Sequence, residues 1–147
     1  MAMVMKHPIW ISWVVAGALG ACAIPAPPPV VIPVTADALV GGEWMAVVID
    51  GVVPLVNPKP KLQWISANQI VGTGGCNAFK GKALLGEDSV RIGPLAATGK
   101  ACVTAPTGQE DLFFKALEET RKARLEGGQL LLVDEAGKIR ARLTKTP

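Results

Sequence analysis

Beyond residue 36 the chain is built of short apolar runs, several with alternating polar positions, separated by Gly, Pro, Asn and Asp. This pattern is typical of β-strands joined by tight turns. It predicts a strand over 43–49, followed by a proline-rich loop over 50–60. Three hairpins are expected after the loop, and their strands span 62–66 with 70–74, 79–85 with 89–92, and 129–133 with 138–144.

One further segment has the period of an amphipathic helix. Its regularly spaced side chains are Leu112, Phe113, Ala116, Leu117 and Thr120. Thr107-x-x-Glu110 is a capping box, whose side chains bind backbone amides at the start of a helix. Gly127-Gly128 is expected to end it. The fold class is therefore mainly β with one helix (α+β), in which the helix packs on a small, strongly curved sheet or barrel.

The first 36 residues differ in character from the rest. Residues 1–21 have a positive charge at Lys6 and then an uncharged apolar run, which is typical of an export signal. Leu19-Gly20-Ala21-Cys22 resembles the lipobox of bacterial lipoproteins, where the chain is cut before a cysteine that accepts lipid through its thiolate. Two other interpretations stay open: ordinary cleavage after Ala23, and an uncleaved membrane helix, which the prolines from residue 25 onward would make too short.

Residues 22–36 are then expected to be the lipidated cysteine and a tether. The segment is uncharged and contains five prolines, which favour an extended polyproline II spacer. By resemblance to known lipoproteins, the absence of Asp at position 23 favours the outer membrane, with the domain facing the periplasm. The chain would be attached to the membrane through acylated Cys22.

Charge and composition exclude several function classes. The chain has 15 Lys and Arg, 12 Asp and Glu, and one histidine. Removal of the leader would take Lys6 and His7 with it and leave a net charge of about +2, which is too small to argue for nucleic-acid binding. Without histidine or a nucleophile motif, we predict no catalytic residue, no metal site and no cofactor.

Several motifs resemble the META domain, also called the HslJ-like domain. The most specific is Gly72-x-Gly74-Gly75-Cys76-Asn77-x-Phe79-x-Gly81, followed by Thr98-x-x-Ala101-Cys102. Trp44, Glu110, Leu117, Leu130-x-Leu132 and Gly137 are less specific parts of the same pattern, and Lys100 stands where methionine is common. We assign residues 37–147 to this domain. The resemblance implies a lipocalin-like half-open β-barrel with one helix, in envelope lipoproteins linked to heat induction and antibiotic tolerance.

Cys76 and Cys102 remain once Cys22 carries lipid. An even number of cysteines in an oxidising compartment favours a disulfide, which would close a loop of about 26 residues and contribute roughly 3–4 kcal/mol. Two buried thiols and a reactive Cys76 are the alternatives. The reactive thiol lacks both a Cys-x-x-Cys motif and a histidine base.

The glycine-rich run 72–77 also has two interpretations. It lacks the last glycine of a dinucleotide-binding loop and the Lys-Ser/Thr pair of a phosphate-binding loop. A tight turn or bulge in a curved sheet explains the glycines better, with Asn77 as a turn residue.

Two further groups have a structural and a functional interpretation. Trp44 and Trp64 are expected in the core, or else as a ligand-facing wall in the mouth of the barrel. Lys138, Arg140 and Arg142 alternate with apolar residues, so they form a basic outward face that is either solvated or in contact with an anionic surface.

The leading hypothesis is a non-enzymatic, lipid-anchored envelope module that supports envelope integrity or stress tolerance through contact with a protein or the cell wall. The alternative is a binder of a small apolar ligand in the barrel interior. A thiol enzyme built on Cys76 ranks third.

Overall fold

The computed structural model describes residues 25–28, 30–52, 56–87, 89–101 and 108–147. Within these ranges it contains nine strands: β1 (Val31–Pro33), β2 (Glu43–Ile49), β3 (Lys61–Ser66), β4 (Gln69–Thr73), β5 (Ala78–Leu85), β6 (Val90–Ala97), β7 (Lys122–Glu126), β8 (Gln129–Val133) and β9 (Ile139–Lys145). The helices in the same ranges are α1 (Ala36–Leu39) and α2 (Gln109–Glu118). Cys22, Cys102 and the leader lie outside these ranges.

The strands form one antiparallel sheet in the order β1-β7-β8-β9-β2-β3-β4-β5-β6. Its two ends approach each other without forming a ladder. At that point the Val90 amide at the start of β6 donates to the carbonyl of Arg121, just before β7, at 2.8 Å. The sheet is therefore a curved, half-open barrel, and the predicted mainly β fold with one principal helix is confirmed.

The core lies on the concave side of the sheet, where α2 packs against it. Phe113 and Leu117 of the helix are fully buried. The Phe79 ring of β5 contacts the Phe113 and Phe114 rings edge-on, with centroids 6.1 and 5.3 Å apart. Each fully buried side chain of this size contributes about 1.5–3 kcal/mol through removal of its apolar surface from water, so the helix is an integral part of the core.

Most of the predicted strands are confirmed. The strand predicted over 43–49 is β2, and the three predicted hairpins are β3–β4, β5–β6 and β8–β9. β6 extends to Ala97, further than the prediction, because its second half continues to pair with β5 as far as Phe79↔Ala97.

The prediction that the helix continues to Gly127-Gly128 is wrong. α2 ends at Glu118, and Lys122–Glu126 forms strand β7, which pairs with β8. Gly127 and Gly128 have φ values of 57° and 78°, and two successive positive φ values suit a two-residue hairpin turn. The charged, helix-favouring residues of this segment are compatible with a strand because Ala123 and Leu125 alternate onto the core side.

The tether predicted over 22–36 overlaps the sheet at its C-terminal end. Val31–Pro33 pairs with the segment from Arg124 to Glu126 of β7, and Val34 is buried. Proline is tolerated here because β1 is an edge strand, where a missing N–H leaves no ladder bond unmade. The domain therefore begins by residue 31. In the ranges the structure describes, no helix is long and apolar enough to cross a membrane.

Candidate functional site at the glycine-rich turn

The glycine-rich run forms the tight turn that joins β4 to β5. The Gly74 amide donates to the carbonyl of Asn77 at 2.9 Å, and the Gly75 amide donates to Thr73 Oγ1 at 3.1 Å. Gly75 has a φ of 120°, a backbone conformation that residues other than glycine rarely adopt. Of the two sequence interpretations, the structure therefore agrees with the turn.

Glu110, in the first turn of α2, binds this turn through its carboxylate. Oε2 accepts the amide of Asn77 at 2.7 Å and the amide of Cys76 at 3.2 Å. Oε1 accepts the side-chain Nδ2 of Asn77 at 2.7 Å. The capping-box interpretation of Glu110 is thus wrong: Gly108 is the N-cap residue, no side-chain cap hydrogen bond forms there, and the carboxylate binds backbone more than thirty residues away.

Asn77 is the centre of the network and is only 7% exposed. Its Oδ1 accepts hydrogen bonds from Thr98 Oγ1 and from the Lys100 amide, both at 2.8 Å. Its Nδ2 donates to the Lys100 carbonyl at 3.3 Å as well as to Glu110. Both donor hydrogens and both acceptor positions of the amide are therefore used within the protein. Asn77 joins three segments: the turn, the end of β6 and the start of α2.

Two glycines of the motif are required by close approach rather than by conformational freedom. A Cβ on Gly74 would lie 2.7 Å from Glu110 Oε2, and one on Gly72 would collide with the carbonyl oxygen of Lys61 and lie 2.6 Å from the Phe79 ring. Both distances are shorter than real Cβ contacts. The glycines thus admit the Glu110 carboxylate on one side of the turn and the Phe79 ring on the other.

Gln109 makes a parallel set of contacts that the sequence did not indicate. Its Oε1 accepts the Val56 amide at 3.0 Å, and its Nε2 donates to the carbonyls of Val56 at 3.2 Å and Pro58 at 3.4 Å. The first two residues of α2 therefore fasten the helix to two loops. The sequence carries one signal for these contacts, the polar pair Gln109 and Glu110 at the start of the helix.

The predicted disulfide involves one residue inside the described ranges and one outside them. The Cys76 amide is held by Glu110, whereas Cys102 lies outside, so the bridge stays a prediction. In the described ranges, no three His, Cys, Asp or Glu side chains are grouped so as to hold a metal ion.

The two tryptophans lie in the core. Trp44 is 3% exposed and Trp64 is 0% exposed, and both belong to the same apolar cluster as Phe113 and Leu117. Their indole Nε1 atoms have no hydrogen-bond partner in the described part of the chain. The sequence left a core role and a ligand-facing role open, and the structure places both side chains in the apolar core.

The three bases of β9 and its preceding turn do not form one outward basic face, and for Arg140 that prediction is wrong. Arg140 is 7% exposed and forms ion pairs with Asp50, at 3.0 Å, and with Glu119. Lys138 also binds Asp50, at 2.9 Å, and Arg142 is half-buried. Arg140 is buried because the turn after β2 and the end of α2 each place a carboxylate next to it, those of Asp50 and Glu119.

This cluster of ion pairs lowers the pKa of the Asp50 carboxyl. The hydrogen bond from Lys138, with the positive charges of Arg140, Lys138 and Lys115, holds the pKa of the Asp50 carboxyl below its ordinary value of 3.8, although burial opposes the shift. Asp50 has a φ of 52°, which Asp and Asn tolerate better than other side chains.

Known proteins have a similar sequence pattern and a similar architecture. The sequence model of the META domain family matches residues 37–147. An NMR structure of a protein from Burkholderia xenovorans is similar, with a TM-score of 0.64 at 22% identity over 86% of this chain and 96% of that chain. A second NMR structure has a TM-score of 0.59 at 22% identity, over 76% of this chain and 94% of that chain. At this identity the two structures support the fold alone. No curated protein matches the sequence.

Proposed function

The chain belongs to the META domain family, and from this premise we propose that it is a lipid-anchored, non-enzymatic module of the bacterial envelope. It would be attached to the outer membrane through acylated Cys22, with the domain in the periplasm. There it would support envelope integrity or stress tolerance through contact with a protein or the cell wall.

The observation that carries the non-enzymatic part is the use of the motif's polar atoms. Asn77 has every donor and acceptor position engaged, and the Glu110 carboxylate accepts three N–H groups of the turn. A general acid or base must reach a substrate proton at hydrogen-bond distance. Glu110 instead binds α2 to the turn between β4 and β5, so we interpret the motif as a structural element that stabilises the fold.

The anchoring part is supported by the leader and the linker. Leu19-Gly20-Ala21-Cys22 has the small residues and the cysteine that lipid attachment requires. Nine residue steps lead from Cys22 to Val31, the first residue of β1. In polyproline II, at about 3 Å per residue, they would span roughly 27 Å, enough to hold a small domain beside the headgroup layer.

The alternative function is binding of a small apolar ligand in the barrel interior. The two buried indole N–H groups without a partner in the described residues favour it, because buried donors are normally satisfied. Phe113 and Leu117 oppose it, since these fully buried helix side chains belong to the same apolar cluster as both tryptophans and fill part of the interior. A ligand that stays bound in native mass spectrometry would support the alternative.

Complementation of a strain lacking the protein tests the proposal. The readout is survival with detergent or a hydrophobic antibiotic, and the two variants are Cys22→Ser and Glu110→Gln. We expect Cys22→Ser to fail, because it removes the lipid, and Glu110→Gln to complement, because glutamine keeps an oxygen that accepts the turn amides.

Circular dichroism of Glu110→Gln provides the control for folding. If this variant is folded but does not complement, the carboxylate performs chemistry and the module is not merely structural. If Cys22→Ser complements fully, the lipid anchor is not needed and the anchoring part of the proposal fails.

A further inference from the structure

We propose that the outer face of β5, with its neighbours in β4 and β6, lies against an anionic phospholipid surface. Lys80, Lys82 and Arg91 would bind lipid phosphates, and Leu84 would enter the interface between headgroups and acyl chains. The choice of a membrane as the partner rests on the lipid anchor of the proposed function. The face itself is defined by the structure alone.

Alternation along β5 separates the two sides of the sheet. Phe79 and Ala83 are buried, whereas Lys80, Lys82 and Leu84 are exposed, so the exposed three project from the outer surface. Arg91 lies opposite Leu84 in the ladder, and directly opposed residues share a face. The outer face of β5 and β6 thus carries three positive charges around one apolar side chain.

A groove of about 620 Å³ runs along this face. Asn68, Gln69, Lys80, Lys82, Leu84 and Pro94 are among its lining residues, and none of the residues lining it is acidic. The Ser66 hydroxyl donates to Asn68 Oδ1 at 2.8 Å, which occupies that oxygen and leaves the Asn68 amide hydrogens for an acceptor. The groove therefore offers donors and positive charge, as a phosphate headgroup requires.

Several bases elsewhere on the sheet are paired with acids, whereas the three on this face are not. Lys61 is paired with Glu43, and Lys138 and Arg140 with Asp50. Lys80, Lys82 and Arg91 form no ion pair within the described ranges. Glu87 lies in the turn beyond Leu84, and Asp88 lies outside the described residues. Arg142 and Lys145 of β9 form no ion pair in these ranges either, but Lys80, Lys82 and Arg91 lie together around Leu84 on one face. It is this grouping around an exposed apolar side chain that sets the β5 face apart.

Two observations favour a membrane over an acidic polymer as the partner. Leu84 is 64% exposed among the bases, and a basic surface with a projecting apolar side chain suits the bilayer interface. In addition, Pro33 and Val34 share a cavity of about 420 Å³ with Gly86 and Ser89 of the β5–β6 turn. The tether therefore enters the domain beside this hairpin, which brings the face within reach of the bilayer.

The test uses the full chain as purified from cells, placed on vesicles of phosphatidylcholine alone or of phosphatidylcholine with phosphatidylglycerol. Amine acylation followed by peptide mass spectrometry reports the accessibility of each lysine, with Lys138 and Lys145 of the opposite wall as internal controls. We expect Lys80 and Lys82 to react more slowly than the controls only on the anionic vesicles, and high salt to remove the difference.

A second readout is independent of lysine chemistry. In Leu84→Trp the new indole would be exposed, unlike Trp44 and Trp64, so its emission should shift to the blue on anionic vesicles. Adding Lys80→Gln and Lys82→Gln should abolish the shift, because each base contributes about fivefold to binding of anionic lipid and the pair roughly 25-fold. Lys145→Gln is the matched control and should leave the shift unchanged.

Equal acylation of all four lysines on both vesicles, with no emission shift, would overturn the inference. Slowing of Lys80 and Lys82 by isolated cell wall or by polyglutamate, but not by anionic vesicles, would also overturn it in favour of that partner. The mass of the same sample reports the lipid on Cys22 separately. A chain without lipid, added to preformed vesicles, still gives both readouts, so failure of the anchor and failure of the face are distinguishable.

Discussion

Glu110 and Asn77 are joined twice: one carboxylate oxygen accepts the backbone amide of Asn77 and the other accepts its side-chain amide, each at 2.7 Å. The two residues are 33 positions apart in sequence, and the bonds fix the start of α2 to the turn between β4 and β5. Asn77 also accepts hydrogen bonds from Thr98 and Lys100. The Glu110–Asn77 pair therefore determines the position of the helix on the half-open sheet.

Replacement of Glu110 by alanine should destabilise the domain. Three N–H donors of the turn would lose their acceptor, and one of them belongs to a side chain that is almost fully buried. We expect Glu110→Ala to lower the free energy of unfolding by about 2–3 kcal/mol, measured by urea denaturation with tryptophan fluorescence. Glu118→Ala, on the exposed side of the same helix, is the matched control and should cost less than about 0.5 kcal/mol. Equal effects of the two substitutions would show that the carboxylate does not fasten the helix.

Asn77→Asp is a sharper test because it barely changes the size of the side chain. The new carboxylate would face Glu110 Oε1 in place of a donor, and two like charges at hydrogen-bond distance repel. At pH 7 we expect a greater loss of unfolding free energy than for Asn77→Ala. The deficit relative to the unaltered chain should shrink as the pH falls from about 7 to 4, because a proton on either carboxyl restores a donor. A deficit that does not depend on pH would mean that Asn77 and Glu110 are not in direct contact.

The Asp50 cluster predicts a dependence of stability on pH. The pKa of Asp50 is lowered in the folded chain, so its ionised form contributes stability above the ordinary value of 3.8, and this contribution is lost as the pH falls through the lower folded value. Asp50→Asn keeps a residue that tolerates the positive φ and removes only the charge. We expect it to lower the unfolding free energy by about 1–3 kcal/mol at pH 7, and the difference to shrink progressively as the pH falls below 3.8 and through the lower folded value.

Glu43→Gln is the control for the Asp50 variant. The pKa of Glu43 is also lowered, by the hydrogen bond from Lys61. Both side chains of this pair are 40% exposed, so solvent screens the interaction and the loss should stay below about 0.5 kcal/mol. If Asp50→Asn costs no more than this control at pH 7, the cluster around Arg140 does not stabilise the fold.

The predicted Cys76–Cys102 bridge would reinforce the same turn from the other side. If it forms, Cys102→Ser should lower the unfolding free energy by about 3–4 kcal/mol, and a reducing agent should have the same effect on the unaltered chain and none on the variant. Alkylation without reduction should modify neither cysteine. Modification of both thiols in the folded protein would contradict the prediction and return the reactive interpretation of Cys76 to consideration.

The strands could be predicted from sequence because their signals are local. The apolar run of β2 and the turns at Ala67-Asn68 and Asp134–Gly137 lie within a few residues of the strands they define. The strand Lys122–Glu126 could not be predicted in this way. Its charged residues favour a helix, and only its pairing with β8 makes it a strand. The tertiary ladder overrides local propensity there.

The candidate site was predictable in its members and not in its contacts. The glycine-rich motif, Asn77, Thr98 and Glu110 were all singled out from sequence. Thr107-x-x-Glu110 nevertheless matches a local capping pattern, which predicted the wrong hydrogen-bond donors for Glu110. The actual donors belong to a turn that is distant in sequence. The buried state of Arg140 was hidden for the same reason, because Asp50 and Glu119 come from other elements.

The central claim, a lipid-anchored domain, is tested most directly by the intact mass of the protein isolated from the membrane fraction and alkylated without reduction. The account predicts the mass of residues 22–147 plus acyl chains, with no alkylation. A chain recovered without lipid from the soluble fraction, with its cysteines alkylated, would contradict both the anchor and the bridge.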